Sequence, residues 1–230
     1  MALARPKNET NRLIEAMPRG LRSGFLDHCT PVALTFGEKL CESGEAYGHV
    51  YFPLTGFVSL VATVSGHPAL EVGLIGNEGM LGATVVLGSS TAPLRGIVQG
   101  QGKALRMSLV TFRRELTSGN ALATSIKRYL LTLTTQLAQN APCVRFHATE
   151  PRLARWLLMS HDRSPADRFH LTHQFLADML GVLRSAITIA AGALQKRGLI
   201  SYVRGEISVL DRKGLEMAAC ECYGAFSRPA

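Results

Sequence analysis

Residues 171–200 read LTHQFLADMLGVLRSAITIAAGALQKRGLI, two helical patterns pinched at Gly181. Thr172 can cap a first helix whose apolar face is Phe175, Leu176, Met179 and Leu180, and Gly181 supplies the left-handed turn conformation that a side chain with a Cβ resists. A second helix then begins near Leu183. Its buried stripe is Ile187, Ala190, Ala191 and Leu194, which leaves Arg184, Ser185, Thr188, Ile189, Gly192 and Gln195 facing elsewhere. An ordinary helical hairpin would show the same spacing, so the residues after the pair decide between the two. Leu199–Val203 and Ile207–Leu210 are short β-prone runs around Arg204-Gly205-Glu206, the pattern of a β-wing. Two helices of which one braces the other, with a wing after them, is a geometry suited to a DNA groove.

Charge agrees with that reading. From Arg184 to Lys213 the basic residues are Arg184, Lys196, Arg197, Arg204, Arg212 and Lys213, against the acidic pair Glu206 and Asp211. The whole chain of 230 residues carries a formal net charge of +8, which favours an acidic partner without choosing between DNA, RNA and an anionic surface. A hydrophobic content of 47% with 18% charged residues is ample for compact cores. The chain shows no apolar run of about 18 residues, and its opening MALARPKNETNR has no hydrophobic region of the kind that directs secretion. A cytoplasmic protein with no membrane partner is expected.

The 5 cysteines are Cys29, Cys41, Cys143, Cys220 and Cys222, an odd and scattered set that argues against a disulfide framework. Cys220 and Cys222 form the close pair, yet they sit in a terminal segment without a companion pair, so no metal is expected. No cofactor is expected either.

Between Cys29 and Arg114 the text is β-prone runs punctuated by turn residues: Val32–Phe36, His49–Phe52, Phe57–Val64, Leu70–Ile75, Gly96–Val98 and Ala104–Met107. Turns are expected at Ser43-Gly44-Glu45, Pro53-Leu54-Thr55-Gly56, Ser65–Pro68 and Gly76–Gly79. This spacing predicts an all-β barrel or roll, preceded by short helical pieces over Asn11–Asp27 that break at Pro18-Arg19-Gly20. A roll could be an enzyme of the cupin class if it clustered metal ligands, but His49 and His67 stand alone in their segments. The sequence has no catalytic serine, Walker or dinucleotide motif, so catalytic residues are not assigned.

Ala121–Gln139 turns helical, with Leu122, Ile126, Leu130, Leu133 and Leu137 as a narrow, nearly heptad stripe. A narrow seam suits a homodimer joined along this helix, although a helix packed on the roll of its own chain would show the same stripe. Pro142 is expected to end or kink it. A further helix is predicted from about Pro151 to His161, with Leu153, Ala154, Trp156, Leu157 and Leu158 as core, and then a loop at Ser164-Pro165-Ala166-Asp167. The expected segments are residues 1–118 for a sensor roll, 119–141 for a dimerisation helix and 142–230 for a winged helix-turn-helix.

This order of parts resembles the family of the cyclic AMP receptor protein and the oxygen regulator FNR. The resemblance rests on His49-Val50-Tyr51-Phe52-Pro53 before Gly56, on Glu71-Val72-Gly73 running into Gly76-Asn77-Glu78-Gly79-Met80-Leu81-Gly82, and on Arg152-Leu153-Ala154-Arg155-Trp156-Leu157-Leu158. The tail Ala219-Cys220-Glu221-Cys222-Tyr223 is similar to one subgroup of it. The resemblance implies an α+β fold: an N-terminal β-roll of the cyclic-nucleotide-binding, jelly-roll type, a long dimerisation helix and a C-terminal winged helix-turn-helix. It further implies a homodimeric Crp/Fnr transcriptional regulator on a two-fold symmetric operator in double-stranded DNA. RNA polymerase and a small-molecule effector of unidentified chemistry are further partners it allows.

Departures from the family are informative. Where cyclic AMP-binding members have Gly-Glu, this chain has Gly82-Ala83, and the closing Arg-Ser is replaced by a stretch holding a displaced Arg95, so tight cyclic AMP binding is not expected. Gly82, Ala83 and Arg95 remain the positions where an effector would bind. The oxygen regulator's N-terminal cysteine cluster is missing. In the family's reading helix an Arg stands just after the start, and Arg184 matches it, while Ser185 and Ile189 replace a Glu and a second Arg and imply a different operator. The DNA-contacting set expected is Thr172, Arg184, Ser185, Thr188, Ile189, Lys196 and Arg204. The alternatives are a sensor whose winged helix meets protein or RNA, and the cupin-like enzyme.

Overall fold

The computed structural model describes residues 9–118, 120–164 and 168–226; the extreme N-terminus and Pro165-Ala166-Asp167 of the expected loop lie outside them. The chain opens with α1 (Arg12–Glu15), α2 (Arg19–Asp27), β1 (Thr30–Leu34), β2 (Lys39–Cys41), β3 (His49–Ala62) and β4 (Leu70–Ile75). A short 3-10 helix, Ala83–Leu87, then leads to β5 (Arg95–Ser108), α3 (Leu109–Ser118), α4 (Asn120–Phe146) and α5 (Thr149–Arg163). The C-terminal part is β6 (Arg168–His170), α6 (His173–Leu180), α7 (Arg184–Lys196), β7 (Ile200–Val203), β8 (Glu206–Val209), α8 (Arg212–Ala218) and α9 (Cys222–Phe226).

These elements form two compact units, residues 1–58 with 75–131, and residues 59–74 with 132–230. The segments read from sequence are cut differently, because the hairpin built from the end of β3 and most of β4 joins the second unit.

In the first unit β1 and β2 both pair antiparallel with β5, and β5 in turn pairs with β3. The expected breaks inside β3 and β5 do not occur. Pro53-Leu54-Thr55-Gly56 is not a turn but part of one 14-residue strand, and Gly96–Val98 and Ala104–Met107 belong to a second strand of 14 residues. The reason is close backbone approach. Gly56 adopts φ +73°, and a Cβ there would fall 2.3 Å from the Gly100 carbonyl oxygen, while one on Gly102 would fall 2.2 Å from that of Thr55. The glycines let the two strands bend together where larger residues would force them apart. Pro53 keeps its carbonyl satisfied by the buried Asn11, whose side-chain amide donates to Pro53 at 2.9 Å and to Gly79 at 2.8 Å. Asn11 also caps α1, accepting from the Leu13 backbone N–H at 3.1 Å.

The near-heptad stripe of α4 is used within the chain. Leu122 and Ile126 are buried and Tyr129 lies over Gly79. Leu122 and Ile126 are therefore corrected from dimer contacts to core of the first unit, while Leu130, Leu133 and Leu137 stay partly exposed. Pro142 does not end the helix, which runs on to Phe146. Its ring lies on an exposed face and removes one donor only, so the last turn still closes through His147 N–H to the Cys143 carbonyl at 3.2 Å.

In the second unit α5 is the central element. Leu153, Ala154, Trp156, Leu157 and Leu158, the expected core, are all buried, and they share one hydrophobic cluster with Leu176, Leu180, Ile187, Leu194 and Ile207. Glu71 of the hairpin reaches into the same interior. Its carboxylate accepts from Trp156 Nε1 at 2.8 Å and from the Ser59 hydroxyl at 2.6 Å, and its backbone carbonyl accepts from Asn140 at 3.3 Å. Next to it Gln136 accepts from the Leu74 backbone N–H at 3.0 Å.

Burial pushes the Glu71 carboxyl up to about 7, against the hydrogen bonds from Ser59 and Trp156, which favour the charged form. With a free value of about 4.3, the folded chain holds more protons than the unfolded one between these limits. Glu71 thus favours folding fully below about pH 4.3, and that contribution is lost as the pH rises through about 7. Thermal denaturation should show the effect: Glu71→Gln should gain Tm relative to wild type as the pH climbs from 5 to about 8. Parallel pH profiles for the two proteins would contradict the assignment.

Candidate nucleic-acid interface

The stretch from Thr172 to Val209 folds as a helix pair and a wing. Thr172 caps α6 by accepting from the Phe175 backbone N–H at 3.1 Å. Gly181 closes it with φ 62° and ψ 44°, and Val182 N–H bonds back to the Ala177 carbonyl at 3.0 Å. The buried Arg152 of α5 donates to the Leu180 carbonyl, holding the C-terminal end of α6 from below. A Cβ on Gly181 would fall 2.8 Å from Leu70 Cδ1, so the turn is packed as well as left-handed. α7 then leaves at 108° to α6, within the range of helix-turn-helix pairs.

The face assignments of α7 follow the sequence periodicity. Ile187, Ala190, Ala191 and Leu194 are buried. Arg184, Ser185, Thr188, Ile189, Gly192 and Gln195 are all exposed, Ile189 at 73%. Small residues dominate this outer face, so the helix backbone can approach a surface closely, and Arg184 stands in its first turn.

The wing is a three-stranded sheet in the order β6-β8-β7. Ile207 pairs with both Phe169 and Tyr202, and the tip is a two-residue turn, Arg204 at φ 52° and Gly205 at φ 85°. Positive φ at both positions is the type I′ pattern that suits the twist of a hairpin. It obliges the exposed Arg204 to sit in a conformation uncommon for a side-chain-bearing residue. The third strand, β6, is a part of the wing that the sequence did not indicate, since its run Arg168–His170 is too short for alternation to register.

Helix and wing are joined by a polar hinge that the sequence also did not indicate. The His173 ring stacks on Tyr202 with centroids 4.4 Å apart, and His173 Nδ1 lies 2.9 Å from the Thr188 hydroxyl. The Tyr202 hydroxyl donates to the Leu171 carbonyl at 3.2 Å, and the Tyr202 backbone N–H donates to Gln195 Oε1 at 3.1 Å. Burial, and then the nearby Arg184, hold the His173 imidazole below its ordinary value, which favours its neutral form. His173, Thr188, Gln195 and Tyr202, with Ala191, Gly192 and Lys196, line a cleft of about 510 Å³ between α7 and β7.

Of the basic residues along this stretch, two are engaged within the fold. Arg197 pairs with Glu150 at 2.8 Å, and Arg212 bonds Asp162 at 2.7 Å and Glu216 at 3.0 Å. Arg184, Lys196 and Arg204 are exposed and form no ion pair among the described residues. They lie on the outer helix face, at its C-terminal end and at the wing tip.

The effector positions expected in the roll belong to the first unit. Gly82 has φ 90° and precedes the 3-10 helix, where a Cβ would fall 2.8 Å from Val50 Cγ1, and Ala83 is buried. Arg95 Nε donates to Glu42 Oε1 at 2.7 Å. The displaced arginine thus already has a carboxylate partner.

Residues 151–218 match the Crp-like helix-turn-helix domain. No curated protein sequence matches the chain. Among solved structures, FixK2 from Bradyrhizobium japonicum is similar with a TM-score of 0.68 at 14% identity, over 84% of this chain and 98% of that one. A transcriptional regulator of the Crp/Fnr family from Eubacterium rectale aligns with a TM-score of 0.69 at 15% identity, over 92% of this chain and 99% of that one. The c-di-GMP responsive global regulator CLP from Xanthomonas campestris gives 0.65 at 19% identity, over 84% and 99%. Among the described residues no single helix is long and apolar enough to cross a membrane. Residues 151–218 are a Crp-like helix-turn-helix domain, set in a chain that has the fold of the Crp/Fnr regulators.

Proposed function

We propose that this chain is a cytoplasmic DNA-binding transcription regulator that reads a two-fold symmetric operator as a homodimer, with α7 in the major groove. The observation that carries the reading is the outer face of α7, small and polar with Arg184 in its first turn, beside a wing whose tip is Arg204. In this reading Arg184 takes a guanine edge, Ser185 and Thr188 contact bases or phosphates, and Ile189 offers an apolar contact to a thymine methyl. Thr172, Lys196 and Arg204 meet the flanking backbone, where their contribution is independent of sequence. The relatives' names support a regulator. Dimerisation would draw on the partly exposed Leu130, Leu133 and Leu137 together with Leu131, which is 66% exposed. RNA polymerase is a further partner this role allows at a promoter.

In this reading any signal that acts at the roll is one other than cyclic AMP. Ala83 offers no carboxylate to ribose hydroxyls, and the Arg95 guanidinium is neutralised by Glu42. An effector at Gly82, Ala83 and Arg95 would have to compete with that ion pair.

Selection of bound fragments from genomic DNA should return a palindromic motif with half-sites about one helical turn apart. On that motif Arg184→Ala should lose roughly 1–3 kcal/mol of specific binding in a mobility shift while retaining salt-dependent binding to random duplex. An unchanged footprint and affinity would show that α7 is not the reading helix. Sedimentation equilibrium should give a dimer that Leu133→Glu converts to monomer, whereas a monomeric wild type would remove the operator symmetry. Calorimetry with cyclic AMP should detect no submicromolar affinity, and such an affinity would refute the account of Ala83 and Arg95.

A further inference from the structure

Cysteines that look isolated in the sequence are gathered in the second unit. Cys143 in the last turn of α4 and His147 just past its end meet Cys220 and Cys222 from the segment that enters α9, and the ligand atoms of all four lie within 4.8 Å of one another. Cys143 Sγ is 3.7 Å from Cys220 Sγ, and Cys222 Sγ is 3.6 Å from His147 Nδ1. We propose that these four side chains form a structural zinc site.

The distances argue for a single tetrahedral ion. Zinc bonds of about 2.3 Å to sulfur and about 2.0 Å to nitrogen put adjacent ligand atoms of a tetrahedron about 3.5–3.8 Å apart. The two separations above fall in that range before any metal draws the groups together. Three sulfurs and one imidazole are a closed set typical of structural zinc, with no position left for a substrate. An iron–sulfur cluster needs ligands spread around several metal atoms, and four donors within 4.8 Å of one another leave room for one ion. A Cys143–Cys220 disulfide would employ two of the four groups and leave the approach of Cys222 to His147 without a purpose.

The surroundings fit as well. Cys143, Cys220 and Cys222 are buried, as a site kept from competing water requires. His147 presents Nδ1 to the cluster, and its Nε2 lies 3.0 Å from Glu221 Oε1, the carboxylate–histidine arrangement that fixes a metal-binding imidazole. Gln139, one turn before Cys143, donates to Cys222 Sγ at 3.2 Å, the kind of N–H contact that supports a thiolate. Backbone bonding holds the segment in place, Cys220 N–H donating to the Pro151 carbonyl at 3.3 Å.

The ligand pairs flank the Crp-like domain. Cys143 and His147 precede residue 151, and Cys220 and Cys222 come after residue 218. The ion would close a loop of 77 residues and fasten both ends of the domain to α4. The zinc site stands independently of the DNA-binding reading.

The full chain, purified under reducing conditions, should contain zinc equimolar with protein by elemental analysis. Cys29→Ser and Cys41→Ser, altered in the other unit, should keep it, while Cys222→Ser and His147→Ala should each lower the bound zinc at least several-fold. If those variants fail to fold, wild type decides alone: after chelation and reduction, equimolar cobalt(II) should give thiolate charge-transfer absorption with intense visible bands of a tetrahedral ion, and zinc should displace it. Reduced wild-type protein that neither retains zinc nor takes up cobalt would overturn the site. So would variants of Cys222 and His147 that bind as wild type does, or metal-free protein carrying a Cys143–Cys220 disulfide.

Discussion

A carboxylate inside a hydrophobic core needs partners, and Glu71 finds them in Ser59, Trp156 and the Arg155 that neighbours it. The consequences spread through the second unit. The indole N–H of the buried Trp156 donates to this carboxylate, and Trp156 is at the centre of the helix that supports α6 and α7. Leu70, on the same hairpin, lies against Gly181 at the turn between those helices. The hairpin is therefore part of the platform under α6 and α7, and any change in its seating bears on both Trp156 and the turn.

Local pattern determines what is legible in the sequence. The buried set of α7, Gly181 as a left-handed cap and the wing tip at Arg204-Gly205 each depend on a few consecutive residues, and the structure has them in the expected places. The features that escape a linear reading depend on distant groups. Pro53 and Gly56 look like a turn until Gly100 and Gly102 are known to press against them. Leu122 and Ile126 have a heptad spacing whether the facing surface is a second copy or the same chain, and here the chain itself buries them. The His173–Tyr202 stack joins residues with no periodic relation at all.

The cysteines illustrate the same limit more sharply. Spacing rules look for ligand pairs of like kind near one another, but here one pair is Cys and His at the end of a helix and the other is Cys and Cys in the tail. The link between them is a property of the fold. It also depends on α4 continuing past Pro142 to Phe146, because that last turn brings His147 back to Cys143, its backbone N–H bonded to the Cys143 carbonyl. A residue with the chemistry of a terminator is instead passed over in the last full turn before the ligands.

The assignment of residues 59–74 to the second unit has a consequence for how such a chain can be divided. The backbone passes between the units at residues 58–59, 74–75 and 131–132, so no single cut yields two intact pieces. A fragment beginning at residue 142 would contain all of α5, α6, α7 and the wing, yet it would lack Glu71, which accepts from the Trp156 indole, and Leu70, which lies against Gly181. The helix-turn-helix unit is discontinuous in sequence, and its smallest complete form includes a hairpin that the linear order places with the roll. Recombination that exchanged rolls at the long helix would exchange part of the core of the helix-turn-helix unit with them.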